Sequence, residues 1–335
     1  MNTGDNTSYP LVTIVTITRN LLREKREAYA KECIESVHRQ RYPSIEHLVI
    51  DGASDDGTLE FLQPYVEKGY IKVYSESDKG IYDAMNKGLA KAKGKYVNFL
   101  NTDDFFHNPL AVRLSVEQLE KQGADYSFGN ALLKYPDGKE VVWTGDLSRL
   151  PWASHYCHQT MFVRTELLRS LGGFNLDYKV SADTEMMIHL CALNTRFVVV
   201  NDELVTYRVG GYSSQCQHQS RIDHSTAFYL YIGQHVGLSQ HDCFLLWGRR
   251  FFEELAPDAQ LALICRVPAR YGQHALIEEY IRRMQARQHS DKRYYLFGFL
   301  PVLKSRMRGN KTKYYLFGVL PLWKVKEVGC PVYVK

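Results

Sequence analysis

The sequence predicts an α/β fold: a mostly parallel sheet with helices on both faces. Three observations carry that prediction. Strand-like and helix-like segments alternate at regular intervals through residue 105, the order that builds crossover units. The strand segments are short and rich in β-branched residues, as strands buried on both faces are. Acidic residues, Asp51 and the adjacent pair Asp103 and Asp104, stand at the carboxyl ends of two of these strands, where sheets of this class bind ligands.

Taken in order, "LVTIVTIT" (11–18) reads as a buried strand. In "EAYAKECIESVHRQ" the positions Ala30, Cys33, Ile34 and Val37 recur at three- and four-residue spacing, which predicts a helix. "IEHLVI" (45–50) is the second strand, and "DGASDDGT" (51–58) is a turn cluster that caps a helix starting near Leu59. "YIKVYS" (70–75) is the third strand, "GIYDAMNKGLAKAKG" a helix closed by Gly94, and "KYVNFL" (95–100) the fourth strand. Beyond residue 105 the alternation weakens. "AVRLSVEQLEKQG" predicts a helix, "ADYSFGNALLKYPDGKEVVW" two strands around a "PDG" turn, and "RTELLRSLGGF" a helix ended by glycines. "SADTEMMIHLCAL" predicts a helix with Ser181 at its capping position, 196–209 returns to extended structure, and 216–290 reads as helical.

Composition bounds the rest. With 335 residues, 45% apolar and 24% charged, the chain can bury a large core, and one large domain with an appendage is expected. No apolar run approaches the roughly 18–20 residues of a spanning helix, and the start "MNTGDNTSYP" lacks a signal-peptide pattern, so a soluble, cytoplasmic protein is expected. Seven cysteines lie far apart without a C-x-x-C pair, which points to free thiols in a reducing compartment and away from a zinc site or a disulfide framework. The net charge of +5 is uneven: residues 291–335 carry ten Lys/Arg and two Asp/Glu, leaving 32 basic against 35 acidic residues in 1–290. That balance argues against nucleic acid as a partner of the main domain and for a tail that meets something anionic.

The tail also holds a repeat. "KRYYLFGFLPVLK" (292–304) recurs as "TKYYLFGVLPLWK" (312–324), shifted by 20 residues. The central Gly and Pro disfavour a long helix. Two readings stand: edge strands or an arm packed on the body or on a second copy in a homo-oligomer, and an interfacial anchor whose aromatics and basic residues meet an anionic membrane surface.

The stretch "YVNFLNTDDFF" (96–106) carries the chemistry. Adjacent carboxylates repel, so a fold that brings Asp103 and Asp104 together needs a cation or a set of donors to balance them, although Asn, Thr and Asp are also ordinary turn residues. Familiar phosphate loops are absent: there is no G-x-G-x-x-G, and "GLAKAKGKY" has the wrong glycine spacing for a P-loop, with Tyr96 where Ser or Thr is required.

The ordered motifs "TIVTITRN", "QRYPSIEHLVIDGASDDGT", "SESDKGIYDAMNKGLAKAKGKYVNFLNTDD", "CHQTMFVRTELLRSLGGF", "VSADTEMM" and "YRVGGYS" resemble those of family 2 glycosyltransferases of the O-antigen, capsule and colanic-acid-type exopolysaccharide group. The resemblance spans roughly residues 10–215. It implies the GT-A fold, a Rossmann-like nucleotide-sugar-binding sheet, and an inverting, metal-dependent, non-processive transfer from a nucleotide diphosphate sugar, commonly a UDP-sugar, to a lipid-linked saccharide acceptor. A divalent Mn²⁺ or Mg²⁺ would stabilise the departing diphosphate. On this resemblance Asp104 is the metal ligand, with Asp103 on the metal or the ribose. Thr18, Arg19, Asn20 and Asp51 line the base pocket, Asp78 is a further nucleotide contact, and Asp183 is the base that takes the acceptor proton. His158 and Gln159 match an "HQ" pair that meets donor or acceptor, and Arg208 and Ser213 reach the diphosphate or close the site.

Two positions depart from the pattern: Gly52 stands where many relatives have a second acid, and Asn101 is the first member of the D-x-D triplet. The expected organisation is a flexible start (1–9), the GT-A domain (10–215, halves 10–105 and 106–215), a helical region (216–290) and the basic aromatic tail (291–335). The expected location is peripheral, on the inner face of the cytoplasmic membrane. Competing readings are a catalytically silent GT-A scaffold, against which the set Asp51, Asp103, Asp104 and Asp183 argues, and a nucleotidyltransferase, which would bring a glycine-rich loop that "TITRNLLREKRE" lacks. A processive synthase would carry Q-x-x-R-W, which is absent.

Overall fold

The computed structural model describes residues 9–150, 153–193, 195–211 and 215–246, and the backbone of 291–296, 300–308, 311–316 and 320–326. Strands β1 (Val12–Thr18), β2 (Ile45–Asp51), β3 (Lys72–Ser75) and β4 (Tyr96–Phe99) alternate with helices α1 (Glu27–His38), α2 (Thr58–Glu67) and α3 (Ile81–Lys91). All of these strands pair in parallel, in the order β3-β2-β1-β4. The β-branched run of β1 explains its central place, because it is buried along nearly its whole length. Ile14 packs with Cys33 and Val37 of α1 on one face. Val15 faces α3 on the other, where a Cβ at Gly88 would come within 2.3 Å of Val15 Cγ1. Glycine there lets the helix lie directly on the strand.

The second half is mixed. It comprises β5 (Phe105–Phe106), α4 (Ala111–Gln122), β6 (Tyr126–Lys134), β7 (Glu140–Trp143), β8 (Phe162–Arg164), α5 (Thr165–Ser170), α6 (Ala182–Ala192) and β9 (Phe197–Arg208). The short β8 lies antiparallel between β4 and β6, β9 runs parallel to β6, and β5 and β7 sit at the margins. The "PDG" hairpin and the antiparallel β8 are why the regular alternation stops after residue 105. Helix α6 forms as predicted, but Ser181 does not cap it with its side chain. The hydroxyl is drawn instead to Ser220 Oγ at 2.9 Å, because α7 (Gln217–Phe228) lies beside this helix start and also brings Asp223 to the Val180 amide at 3.3 Å. Helix α7 continues through a π turn (Tyr229–Gly233) to Val236, and α8 (Gln240–Leu246) follows. The remainder of the predicted helical region, 247–290, lies outside the described residues.

The tail strands form a separate unit. Strands β10 (Asp291–Leu296), β11 (Leu300–Arg308), β12 (Lys311–Leu316) and β13 (Leu320–Lys326) make an antiparallel meander. Each copy of the 20-residue repeat is one hairpin, with the same register in both: Tyr294 opposite Leu303 and Tyr314 opposite Trp323, each followed by a bulge.

Candidate active site

The chain runs outward from β1 through β2 to β3, then returns to β4 on the other side of β1. At such a reversal the loops after the two central strands part and leave a crevice. A cleft of about 750 Å³ opens there, lined by Thr18 and Arg19 after β1, Asp78 and Lys79 after β3, Asn101–Asp104 after β4, His158, and Asp183 at the start of α6. Thus segments far apart in sequence meet at one site.

Asp104 is 1% exposed. Its Oδ1 accepts from the Arg208 amide at 2.9 Å and its Oδ2 from Gln159 Nε2 at 2.7 Å. Burial pushes its carboxyl well above the usual carboxylate range, and the Asp103 charge pushes the same way. Asp103 is more open and pairs with Arg26 at 3.5 Å. The Arg208 guanidinium is spent on structure: it binds the Asp103 carbonyl and the Glu32 carboxylate and lies over the rings of Tyr29 and Phe105.

Asp183 is braced on both oxygens. His158 Nδ1 lies 2.9 Å from Oδ2, and Tyr82 Oη lies 2.9 Å from Oδ1 and 2.6 Å from the Val180 carbonyl. Burial alone would raise this carboxyl, but the His158 hydrogen bond and charge, with help from Tyr82, hold it below the usual range. It therefore stays ionised and able to accept a proton at neutral pH.

Three cleft-lining residues each carry a buried polar atom without a partner: Thr18 Oγ1, Asn101 Oδ1 and His158 Nε2. Buried polar atoms are normally satisfied, and other orphans, at His47, Asn98 and His155 among them, lie on residues away from the cleft, so the three suit a ligand's polar groups without being peculiar to the site. Asn101, Asp103 and Asp104, which all line the cleft, offer oxygen donors of the kind Mg²⁺ and Mn²⁺ take. Among the described residues no group of three or more His, Cys, Asp or Glu could hold a metal. Asn101, Asp103 and Asp104 fall short of such a group by themselves and would need further oxygen ligands from outside the chain.

The family model described as glycosyl transferase family 2 matches residues 13–185. The chain belongs to this family. The glycosyltransferase is 30% identical over 199 residues to a PGL/p-HBAD biosynthesis glycosyltransferase of Mycobacterium bovis, covering 57% of this chain and 75% of the relative. Its fold matches that of S. aureus TarS 1-349 solved with UDP, with a TM-score of 0.54 at 17% identity over 89% of this chain and 97% of the other. It also matches mannosyltransferase PcManGT from Pyrobaculum calidifontis, solved with GDP-Man and Mn²⁺, with a TM-score of 0.54 at 18% identity over 83% and 81%. The chain is therefore an enzyme of the glycosyltransferase class with a GT-A fold.

In this glycosyltransferase, Thr18, Arg19, Asp78, Asp103, Asp104, His158 and Asp183 all line the cleft. Asp51 and Gln159 are buried behind its wall. Asp51 accepts from the Ser54 amide at 2.9 Å and from Ser75 Oγ at 2.6 Å, and it also binds Ser54 Oγ. Ser54 Oγ in turn receives the Asn20 amide at 2.7 Å, so Asp51 and Asn20 tie the loops after β1 and β2 together. Ser213 lies outside the described residues. At the departure Gly52 a Cβ would stand 2.4 Å from Asp78 Oδ2 and 3.2 Å from Arg19 Cδ, so the flexible ends of those two side chains would have to move aside for any other residue. Asp78 thus occupies the space a side chain at 52 would need. Sequence reasoning missed Tyr82, whose position within "GIYDAMN" is that of an ordinary buried aromatic; only its Oη beside Asp183 identifies it. It also missed the bracing roles of Gln159 and Arg208, because the partner, Asp104, lies 55 and 104 residues away in the chain.

Proposed function

We propose that this glycosyltransferase moves a sugar from a UDP-sugar to a hydroxyl of a lipid-linked saccharide in bacterial surface polysaccharide assembly, by a single inverting, non-processive displacement. The observation that carries the reading is the cleft itself, where the acidic loop after β4 and the braced Asp183 line one cavity. The nucleotide would lie along Thr18, Arg19 and Asp78, with its ribose and diphosphate toward Asp103 and Asp104. Asn101, Asp103 and Asp104 would hold Mn²⁺ or Mg²⁺, which when bound supplies charge stabilisation to the departing diphosphate.

The chain's own residues do the remaining work. Asp183 takes the proton of the acceptor hydroxyl as that oxygen bonds to the anomeric carbon. The bond from that carbon to the diphosphate oxygen breaks, and the diphosphate leaves with the electron pair. One displacement without a covalent intermediate inverts the anomeric centre. His158 and Tyr82 fix the Asp183 carboxylate and keep it ionised before attack. Gln159 and the Arg208 amide hold Asp104 toward the nucleotide end. A lipid-linked acceptor would put the enzyme on the inner face of the cytoplasmic membrane.

The test is a calorimetric titration of UDP, with GDP and dTDP as comparisons, into the wild type and Asp104→Asn, each with and without Mn²⁺. Mn²⁺-dependent UDP binding that falls at least tenfold in Asp104→Asn is expected. Binding indifferent to metal and to the substitution would overturn the donor-site assignment.

A further inference from the structure

The register of the tail meander sorts its charge. Directly paired residues in a sheet share a face, and so do residues two apart along one strand. One row across the strands reads Asp291, Arg306, Lys313 and Lys324; the next reads Arg293, Lys304 and Tyr315; a third reads Arg308, Lys311 and Lys326. These rows alternate along every strand with a second set, so they fall on one face. That face holds eight of the ten Lys/Arg of residues 291–335 and one acid. The opposite face holds Tyr294 paired with Leu303, Tyr314 paired with Trp323, and Thr312 between Met307 and Val325, with Lys292 its only charge.

Like charges directly opposite one another destabilise a sheet. A wet face needs only polar residues, and Ser, Thr or mixed charges would meet that need without repulsion. Here Arg293 faces Lys304, Arg306 faces Lys313, and Lys311 lies between Arg308 and Lys326. The repeat places one such pair at the same register in each hairpin, Arg293 opposite Lys304 and Lys313 opposite Lys324, whereas Asp291 opposite Arg306 replaces the like pair Lys311 and Lys326. Such a face is relieved by a partner that supplies negative charge over the whole plane.

We propose that this basic face is a docking surface for anionic lipid headgroups. The basic positions form a two-dimensional array, with strands about 4.8 Å apart and successive same-face residues about 7 Å apart, which suits a surface of many headgroups better than the single track of a nucleic-acid backbone. Residues 1–290 carry 32 basic and 35 acidic side chains, so no excess positive charge extends the array toward a long polyanion. Among the described residues no helix is long and apolar enough to cross a membrane; docking of this sheet on a headgroup surface would bring the chain to a lipid-linked acceptor. The role in meeting the acceptor rests on the proposed function; the charge sorting does not.

The test uses the full-length protein, without nucleotide, sedimented with vesicles of phosphatidylcholine alone or mixed with phosphatidylglycerol. Binding is expected only to the mixed vesicles, and it should weaken as salt rises from about 0.1 to 1 M and the Debye length falls from about 10 to 3 Å. A basic residue near an anionic surface contributes about fivefold to partitioning. The combined variant Arg306→Gln, Lys311→Gln, Lys313→Gln, Lys324→Gln should therefore lose several hundredfold, on the order of four such factors. Lys292→Gln, from the other face, should lose no more than about fivefold. Equal binding to neutral vesicles, an unchanged quadruple variant, or binding to a DNA duplex but not to vesicles would each overturn the proposal. The salt series on the wild type decides the matter even if the quadruple variant misfolds. Because no nucleotide is present, a negative result leaves the transfer reading untouched, and failure of UDP binding leaves this one untouched.

Discussion

His158 and Gln159 are neighbours in the chain, yet each holds a different carboxylate: His158 bonds Asp183 and Gln159 bonds Asp104. A single short 3-10 turn (His158–Thr160) thus couples the proposed proton acceptor to the proposed metal end of the cleft. The Asn98 amide donates to the Gln159 carbonyl at 2.7 Å and fixes that turn to β4. The bracing of Asp183 has a measurable sign. Burial favours its neutral form, and the His158 hydrogen bond favours the charged form. In His158→Phe only the Tyr82 and Thr184 hydrogen bonds still oppose the burial cost, so the carboxyl pKa rises and the acidic limb of the kcat profile should move to higher pH. A limb that stays in place while kcat falls would show that His158 acts on substrate alone.

At the scale of elements, the site depends on α3 lying close on β1, because α3 delivers Tyr82 to Asp183 while the end of β1 supplies Thr18 and Arg19. Gly88 is the point of contact. Gly88→Val would force a branched side chain into the space of Val15 and should cost about 1–3 kcal/mol, as overpacked cores do, read as a lower urea midpoint. Because the helix would be pushed off the strand, Mn²⁺-dependent UDP binding should weaken as well. Wild-type stability in this variant would mean that α3 does not rest on β1 as described. The elements themselves were legible in the sequence: β-branched runs and three- and four-residue spacings gave the strands and helices of the first half within a few residues of their observed bounds. The order of the second half was not legible, because β8 is three residues long and inserts antiparallel between strands distant in sequence.

At the scale of the whole molecule, three histidines, His47, His155 and His224, are buried, and burial holds each at about 3, far below its ordinary value. They are neutral in the folded protein, and on unfolding they regain the ordinary value of about 6.5. Between those values the unfolded chain binds more protons than the folded one, so stability falls as pH falls. Their contribution is fully present above pH about 6.5 and is lost at up to about 1.4 kcal/mol per pH unit for each histidine below it. Urea unfolding should show a midpoint that drops between pH 6.5 and pH 5, with the three histidines outweighing the buried carboxyls of Asp104 and Glu185, whose raised pKa values act with the opposite sign. A flat profile there would mean that these rings are not held neutral by burial.

The sequence by itself determined the α/β class, the family, and the acidic residues at strand ends, because periodicity, turn chemistry and motif order are local properties written in neighbouring residues. It also contained the tail repeat and its charge. Only the tertiary structure decided which residues share the cleft, that Ser181 turns to Ser220 instead of capping α6, and that Arg208 secures the acidic loop. Those outcomes depend on contacts between segments separated by tens of residues or more, whose distances no local pattern encodes. The tail makes the same division: composition supplied ten basic residues, and strand register decided that eight of them share one face.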